Sequence, residues 1–447
     1  MQKDYRWERQ PEAAAALSGW LADACTRSPA LTALHSRLLE AAGVRLHDIV
    51  DHIDISNTTE LEQFSAAGWS VEADNVWKNM SGLFPAIVAR GPETVWLRVE
   101  AVEDFLAANN ISAIIEGDPH SPFRRAIIAN DAVRVGVLER NGHAGYDVPA
   151  VAAAAIHSAR LHLQAFKARR RQFDTVAQGL MHTEALVDAA VADIGPNWAC
   201  DLWLRAERDF WMTRCPTGRV QKARQDAIGI GWCNIDHHTY DGSRAHYRHS
   251  IRIFEKLGYE RREMLYAGEL AGWGSQVLEQ PVIGSTIFAD VDLAPHELTV
   301  DFAHEILPEL PKHRRAGLLT ELLGESILEA GLNHVAALYD HVLLHGQLVQ
   351  QNISMMAPFT DWPHLYQALT EGDWCAVDPA RVDRLEAGGH IGADEAERLR
   401  LEGSIVTHLE NIERNDGYKG FNREGIDSVL RKLDPRAYLA NASDAGS

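Results

Sequence analysis

Apolar residues recur at i, i+3 and i+4 through Ala13–Leu17 and Leu31–Ala42, and Gly43 is placed to stop the second run. That spacing predicts helices over residues 11–46. From His47 to Gly145 the texture shifts to short apolar runs and turns. Strands are expected at His52–Ile55 and Thr94–Val99, and short helices at Leu61–Ala67 and Val102–Asn109. Arg125–Ile128 and Val133–Leu138 flank Asn130-Asp131, which suggests a hairpin. Val151–Val191 is Ala-rich and reads as helix, strand texture returns from Ile228 to Leu293, and Leu298–Leu348 and Ala380–Ile412 read as helices again. The tail after Pro435 is small and polar.

Within this pattern one sequence of elements occurs twice. Asp51-His52 is followed by Phe64-Ser65-Ala66-Ala67-Gly68-Trp69 and later by Val137-Leu138-Glu139. Asp236-His237 is followed by Phe254-Glu255-Lys256-Leu257-Gly258-Tyr259 and later by Val277-Leu278-Glu279. Each set reads as a strand bearing Asp-His, a helix closing on Phe-x-x-x-Gly-aromatic, and a last strand bearing Val-Leu-Glu. In the second helix Tyr247, Ile251, Phe254 and Leu257 share one face, and each glycine suits a left-handed helix stop.

Composition narrows the function. With 43 basic and 63 acidic residues among 447, the net charge of −20 argues against a nucleic-acid partner. The run Lys167-Ala168-Arg169-Arg170-Arg171 is then expected to be a solvated helix face. No stretch reaches the roughly 18 apolar residues of a membrane span, and the N-terminus has no apolar leader. The expectation is a cytoplasmic protein with no membrane partner. Five widely spaced cysteines, with no C-x-x-C, suggest reduced thiols and no thiolate zinc site. Twenty-one histidines supply candidate metal ligands.

A βαβββ module that begins on a strand histidine, closes on a strand glutamate and occurs twice resembles the vicinal-oxygen-chelate superfamily. Ile235-Asp236-His237-His238-Thr239-Tyr240 and Gly274-Ser275-Gln276-Val277-Leu278-Glu279-Gln280 resemble motifs of the 2-oxoadipate dioxygenase/decarboxylase family. Gly417-Tyr418-Lys419-Gly420-Phe421-Asn422 is similar to the terminal lid of 4-hydroxyphenylpyruvate dioxygenases. The resemblance implies an α+β fold in which two such modules form a cupped sheet around a divalent metal. N-terminal helices would occupy residues 1–46, the first metal-binding module 47–148, a helical insertion 149–226, the second module 227–295, and a helical C-terminal region with the lid-like tail 296–447. Ser56 stands where the 2-oxoadipate group carries an arginine for the substrate carboxylate, so the substrate stays open.

By resemblance, His52, His237 and Glu279 are the metal ligands, with His238 replacing His237 if the strand register shifts by one. Two imidazoles and a carboxylate on one face of an octahedral ion suit Fe(II), because three positions stay open for a 2-oxo acid and O₂. The implied activity is a non-heme Fe(II) dioxygenase acting on a 2-oxo acid with decarboxylation, another divalent metal remaining an option. Glu139 is the candidate catalytic group. As a fourth ligand it would make the site that of a glyoxalase-like isomerase or lyase, and the third reading is a non-catalytic small-molecule-binding protein. Arg244 and Arg423 are the candidates for binding a substrate carboxylate. His334 and His341, in an apparently helical apolar setting, read as core residues, and Trp69, Trp232 and Trp273 as packing or pocket residues. The expected partners are the 2-oxo acid and O₂, with self-association into a homo-oligomer left open.

Overall fold

The computed structural model describes residues 7–422 and 434–436. Two separate curled sheets organise it. The first holds β1 (Val50–Asp54), β2 (Ser70–Ala73), β3 (Val76–Lys78), β4 (Ala86–Val88), β5 (Thr94–Arg98), β6 (Phe123–Asn130) and β7 (Arg134–Arg140), in the order β2-β3-β4-β1-β5-β7-β6. The second holds β8 (Ile235–Asp241), β9 (Glu260–Tyr266), β10 (Trp273–Gln280), β11 (Ser285–Asp292), β12 (His334–Leu338), β13 (Thr360–Trp362), β14 (Leu365–Leu369) and β16 (Ser404–Arg414). Its order is β13-β14-β16-β12-β8-β11-β10-β9, and β15 (Asp373–Cys375) pairs with β16 off that path.

Each sheet is a pair of similar units. In β8–β11 the chain leaves β8, crosses through the helix Tyr247–Lys256 to the edge, and returns strand by strand until β11 lies parallel to β8. β12, the helix His341–Val349, β13, β14 and β16 follow the same route and end with β16 parallel to β12. The two units join antiparallel through β8 and β12. In the first sheet, β1 to β4 form one such unit and β5, β6 and β7 most of another, joined antiparallel through β1 and β5. The edge strand missing from that last unit is reduced to an isolated bridge between Glu116 and Arg125. The α+β class and the βαβββ module therefore hold, but the modules make two sheets of two units rather than one shared cup.

Two sequence expectations change here. The region after residue 296 is not wholly helical, since it supplies β12 to β16. Val335-Ala336-Ala337 and most of β16 are buried, and strands buried on both faces lack the apolar–polar alternation by which periodicity marks a strand. The basic run is not a solvated face either. Arg169 and Arg171 each reach Glu207 Oε1 at 2.7 Å, and Glu207 is buried on the helix Val176–Arg214. Buried carboxylates need such partners. That long helix kinks at Gly195, whose φ of 77° is followed by Pro196.

The main core of the second sheet lies between it and the helices Val176–Arg214 and Tyr247–Lys256, with Trp203, Tyr247, Phe254 and Leu278 fully buried. A smaller apolar cluster of Leu265, Trp273, Val277, Phe288, Leu369 and Phe421 lines the same sheet's other face. That cluster walls the site. Among the described residues no helix is long and apolar enough to cross a membrane.

Candidate metal centre

Three adjacent strands of the second sheet bring His237, His334 and Glu410 together, the one group of donors with metal-binding spacing among the described residues. Register explains why. His237 on β8 lies opposite Ala336 on β12, and Ala336 lies beside Glu410 on β16. His334, two residues before Ala336, points to the same face. Glu410 Oε2 is 3.2 Å from His237 Nε2 and 3.1 Å from His334 Nε2, and the two imidazole nitrogens are 3.3 Å apart. Ligand bonds of about 2.1 Å at right angles would set neighbouring donors about 3 Å apart, so the spacing fits one face of an octahedral ion.

A second layer of contacts fixes these donors. His237 Nδ1 lies 2.8 Å from Asp236 Oδ2, which turns Nε2 toward the cluster, where loss of its proton would free a lone pair for a metal. Arg414 holds Asp236 at 2.6 Å and donates to the carbonyls of Tyr418 and Gly420, which places Phe421 edge-on to His237. His334 Nδ1 lies 3.2 Å from Asn333 Oδ1, and Gln367 Nε2 donates to Glu410 Oε1 at 2.9 Å. Burial pulls His237 down, but Glu410 and Asp236 outweigh it and raise the imidazole to about 9. Burial lowers His334, and the two histidines hold Glu410 well below the usual carboxylate range despite its burial. An incoming cation would displace a proton from His237 and then satisfy the same carboxylate.

The pocket over this cluster spans about 550 Å³, including the space at its open mouth. Leu265, Trp273, Phe288, Phe359, Leu369 and Phe421 form apolar walls, while Asp290 and Arg315 supply a polar end. Arg315 lies 3.6 Å from both Asp241 and Asp290 and over the Trp273 ring. Burial pushes both aspartates up, Asp290 further because Asp241 lies beside it, and Arg315 opposes the shift in each.

The expected ligand triad does not assemble. His237 joins the cluster, whereas His238 faces the opposite side of β8 and meets Arg208 at 3.2 Å. His52 lies in the first sheet, where Arg90 Nη2 stands 3.5 Å from its Nε2. A guanidinium there opposes a second cation. Glu279, on β10, is a quarter exposed and accepts from Lys419 Nζ at 2.6 Å. Glu139 is also in the first sheet. Its Oε2 accepts from the Val102 amide at 2.8 Å and its Oε1 lies 3.4 Å from Arg124, with burial raising it. Arg244 is consumed by a buried pair with Glu297 and by the carbonyls of Pro308 and Asp292, so it does not face the pocket. Arg423 lies outside the described residues. His341 is packed against Tyr366, as a core residue would be, but His334 is a donor on a strand, not a core residue of a helix.

The misplacement has a clear origin in the internal repeat. Asp51-His52 and Asp236-His237 occupy equivalent strands, β1 and β8. Their surroundings match closely: Arg140 holds Asp51 at 2.6 Å, donates to the carbonyls of His143 and Gly145, and lies beside Tyr146, which packs edge-on to His52. Val-Leu-Glu, by contrast, falls on β7 and β10, which are not equivalent. The first-sheet register puts Thr94 and Gly136 where His334 and Glu410 stand in the second. A side chain at Gly136 would meet the Trp96 ring at 2.4 Å, and Trp96 stacks on His52. The first sheet keeps the scaffold of the centre but only one of its three donors.

No protein-family profile matches the chain, and no curated protein matches it. Solved structures similar to it include a mutant of 4-hydroxymandelate synthase from Streptomyces coelicolor, at 12% identity and a TM-score of 0.31, covering 75% of this chain and 95% of that one. Methylmalonyl-CoA epimerase from Mycobacterium tuberculosis is similar at 13% identity and 0.23, covering 41% and 88%. A fusion of a xylose isomerase-like TIM barrel with 4-hydroxyphenylpyruvate dioxygenase gives 11% and 0.24, covering 90% and 53%. Overlaps this loose assign no chemistry. What the chain itself defines is a protein of paired βαβββ units with two histidines and one carboxylate converging in its second sheet.

Proposed function

We propose that the protein is a mononuclear Fe(II) dioxygenase that acts on a 2-oxo acid with loss of its carboxyl group as CO₂. The observation that carries this reading is the convergence of His237 Nε2, His334 Nε2 and Glu410 Oε2 beneath a largely apolar pocket. Two histidines and one carboxylate on one face leave positions open, the donor set of non-heme iron oxygenases. When bound, the metal supplies a site where a 2-oxo acid and O₂ can meet.

The chain's own residues would then set the conditions for that meeting. Gln367 and Asp236 hold Glu410 and His237 in place through direct hydrogen bonds. Trp273, Phe288, Phe359 and Phe421 exclude water from the space above them. Arg315, set between Asp241 and Asp290, puts guanidinium donors at the polar end of the pocket, where a substrate carboxylate could be held. Asp290, which burial and the neighbouring Asp241 push up, repels that anion less than an ordinary carboxylate would. Glu139 takes no part, because its carboxylate is tied to Val102 and Arg124 in the other sheet.

The test is oxygen consumption by the iron-loaded protein against a panel of 2-oxo acids, with CO₂ measured in parallel. The expected result is equimolar O₂ uptake and CO₂ release, lost in Glu410→Ala and kept in Glu139→Gln. Turnover at an unchanged rate without O₂ would replace the dioxygenase with an isomerase or lyase.

A further inference from the structure

A second cavity, of about 590 Å³ including its mouth, lies between the end of the first sheet and the back of β8. Four arginines line it, Arg98, Arg140, Arg205 and Arg208, against two carboxylates, Glu100 and Asp201. Four of these six charges are already matched. Arg140 is held by Asp51 at 2.6 Å, Arg205 by Asp201 at 2.9 Å, and Glu100 by Lys222 at 2.9 Å. Arg98 and Arg208 remain.

Arg98 makes no side-chain hydrogen bond or ion pair with any described residue, and burial holds its guanidinium below its usual pKa. Arg208 is 8% exposed, its Nε has no hydrogen-bond partner, and its Nη1 contacts only the His238 ring at 3.2 Å. Arg208 is buried and Arg98 half-buried, and neither has a carboxylate within ion-pair distance among the described residues, so an anion entering the cavity would give each a direct partner. Nearby carboxylates offset part of this charge, Glu100 acting on Arg208 and Asp51 on Arg98, and the fork-like donors of arginine suit oxygens on a small tetrahedral or planar anion. In a chain of net charge −20 this pocket is a local reversal of sign.

We propose that this cavity is a binding site for a small oxyanion of the phosphate class, held by Arg98 and Arg208. It lies across β8 from His237 and is independent of the metal reading: none of its four arginines touches the donor cluster. The oxyanion can be free phosphate or the phosphate of a small ester.

Calorimetric titration of the chelator-treated full chain with inorganic phosphate, at constant ionic strength, tests the site. One saturable site per chain is expected, with affinity lowered roughly tenfold to hundredfold in Arg98→Gln and in Arg208→Gln, the scale of losing one charge-assisted contact. Arg98→Lys should keep part of the affinity, which guards against a variant that fails for reasons of folding. Titration with glycerol 3-phosphate separates the two sources: tighter binding than phosphate marks an ester site, and equal or weaker binding a free-phosphate site. His334→Ala should bind phosphate unchanged even if the metal assignment fails. Absence of saturable binding, or binding that both glutamine variants retain in full, would overturn the proposal.

Discussion

Replacing Asp236 with Asn, and Asp51 with Asn in parallel, separates structure from metal chemistry. Both carboxylates sit behind an Asp-His strand, both hold their histidine's Nδ1 at 2.7–2.8 Å, and both pair with a buried arginine at 2.6 Å. Arg140 and Arg414 are 8% and 7% exposed, so each neutral amide would leave a guanidinium without its counter-charge. Breaking such a pair costs about 3–5 kcal/mol, and the two variants should lose similar stability in urea denaturation of the metal-free protein. Metal affinity should divide them. Loss of the carboxylate behind a ligating histidine weakens binding roughly 10–100-fold, so Asp236→Asn should show that loss while Asp51→Asn shows none. The assay is competition against a chromogenic chelator on folded protein. Equal weakening in both variants, or none in Asp236→Asn, would refute the assignment of His237 and the reading of His52 as a histidine without a metal.

Gln367→Leu should also weaken metal binding roughly tenfold to hundredfold, since it removes the donor to Glu410 Oε1, and chelator competition reads it directly. Gly136→Ala drives a methyl into the Trp96 ring and should destabilise by about 1–3 kcal/mol in chemical denaturation, with metal affinity unchanged. Glu325, buried and beside Glu321 and Asp241, is pushed from 4.5 up to about 7 despite the Ser243 amide. The folded state therefore binds the extra proton, and stability falls as pH rises between about 4.5 and 7. Glu325→Gln should flatten that slope and gain on the order of 3 kcal/mol at pH 8, read from denaturation midpoints across pH.

Much of the scaffold was legible because the repeat carried it. Asp-His followed by a Phe-x-x-x-Gly-aromatic helix marked β1 and β8 correctly, since a strand start, an amphipathic face and a left-handed helix stop each leave a local signature. It also singled out His237, one of the three residues whose donors the structure brings together. His334 and Glu410 were not singled out, because β12 and β16 are buried on both faces and neither shows the period-2 alternation that marks a strand. A signal was present in Asn333-His334 and His408-Leu409-Glu410, polar donors set into apolar runs where burial is costly without partners. The shared Val-Leu-Glu misled, being a match of letters on strands of different rank. Arg315 left no signal, since it begins a helix in the connection between β11 and β12 and reaches the pocket only through tertiary packing.

The assignment of the centre is tested most directly by anomalous scattering from crystals of the iron-loaded protein, recorded on both sides of the iron edge. One peak per chain is expected, within about 2.0–2.3 Å of His237 Nε2, His334 Nε2 and a Glu410 oxygen. A peak at His52 or Glu279 instead, or none at the three-residue cluster in fully loaded protein, would contradict it.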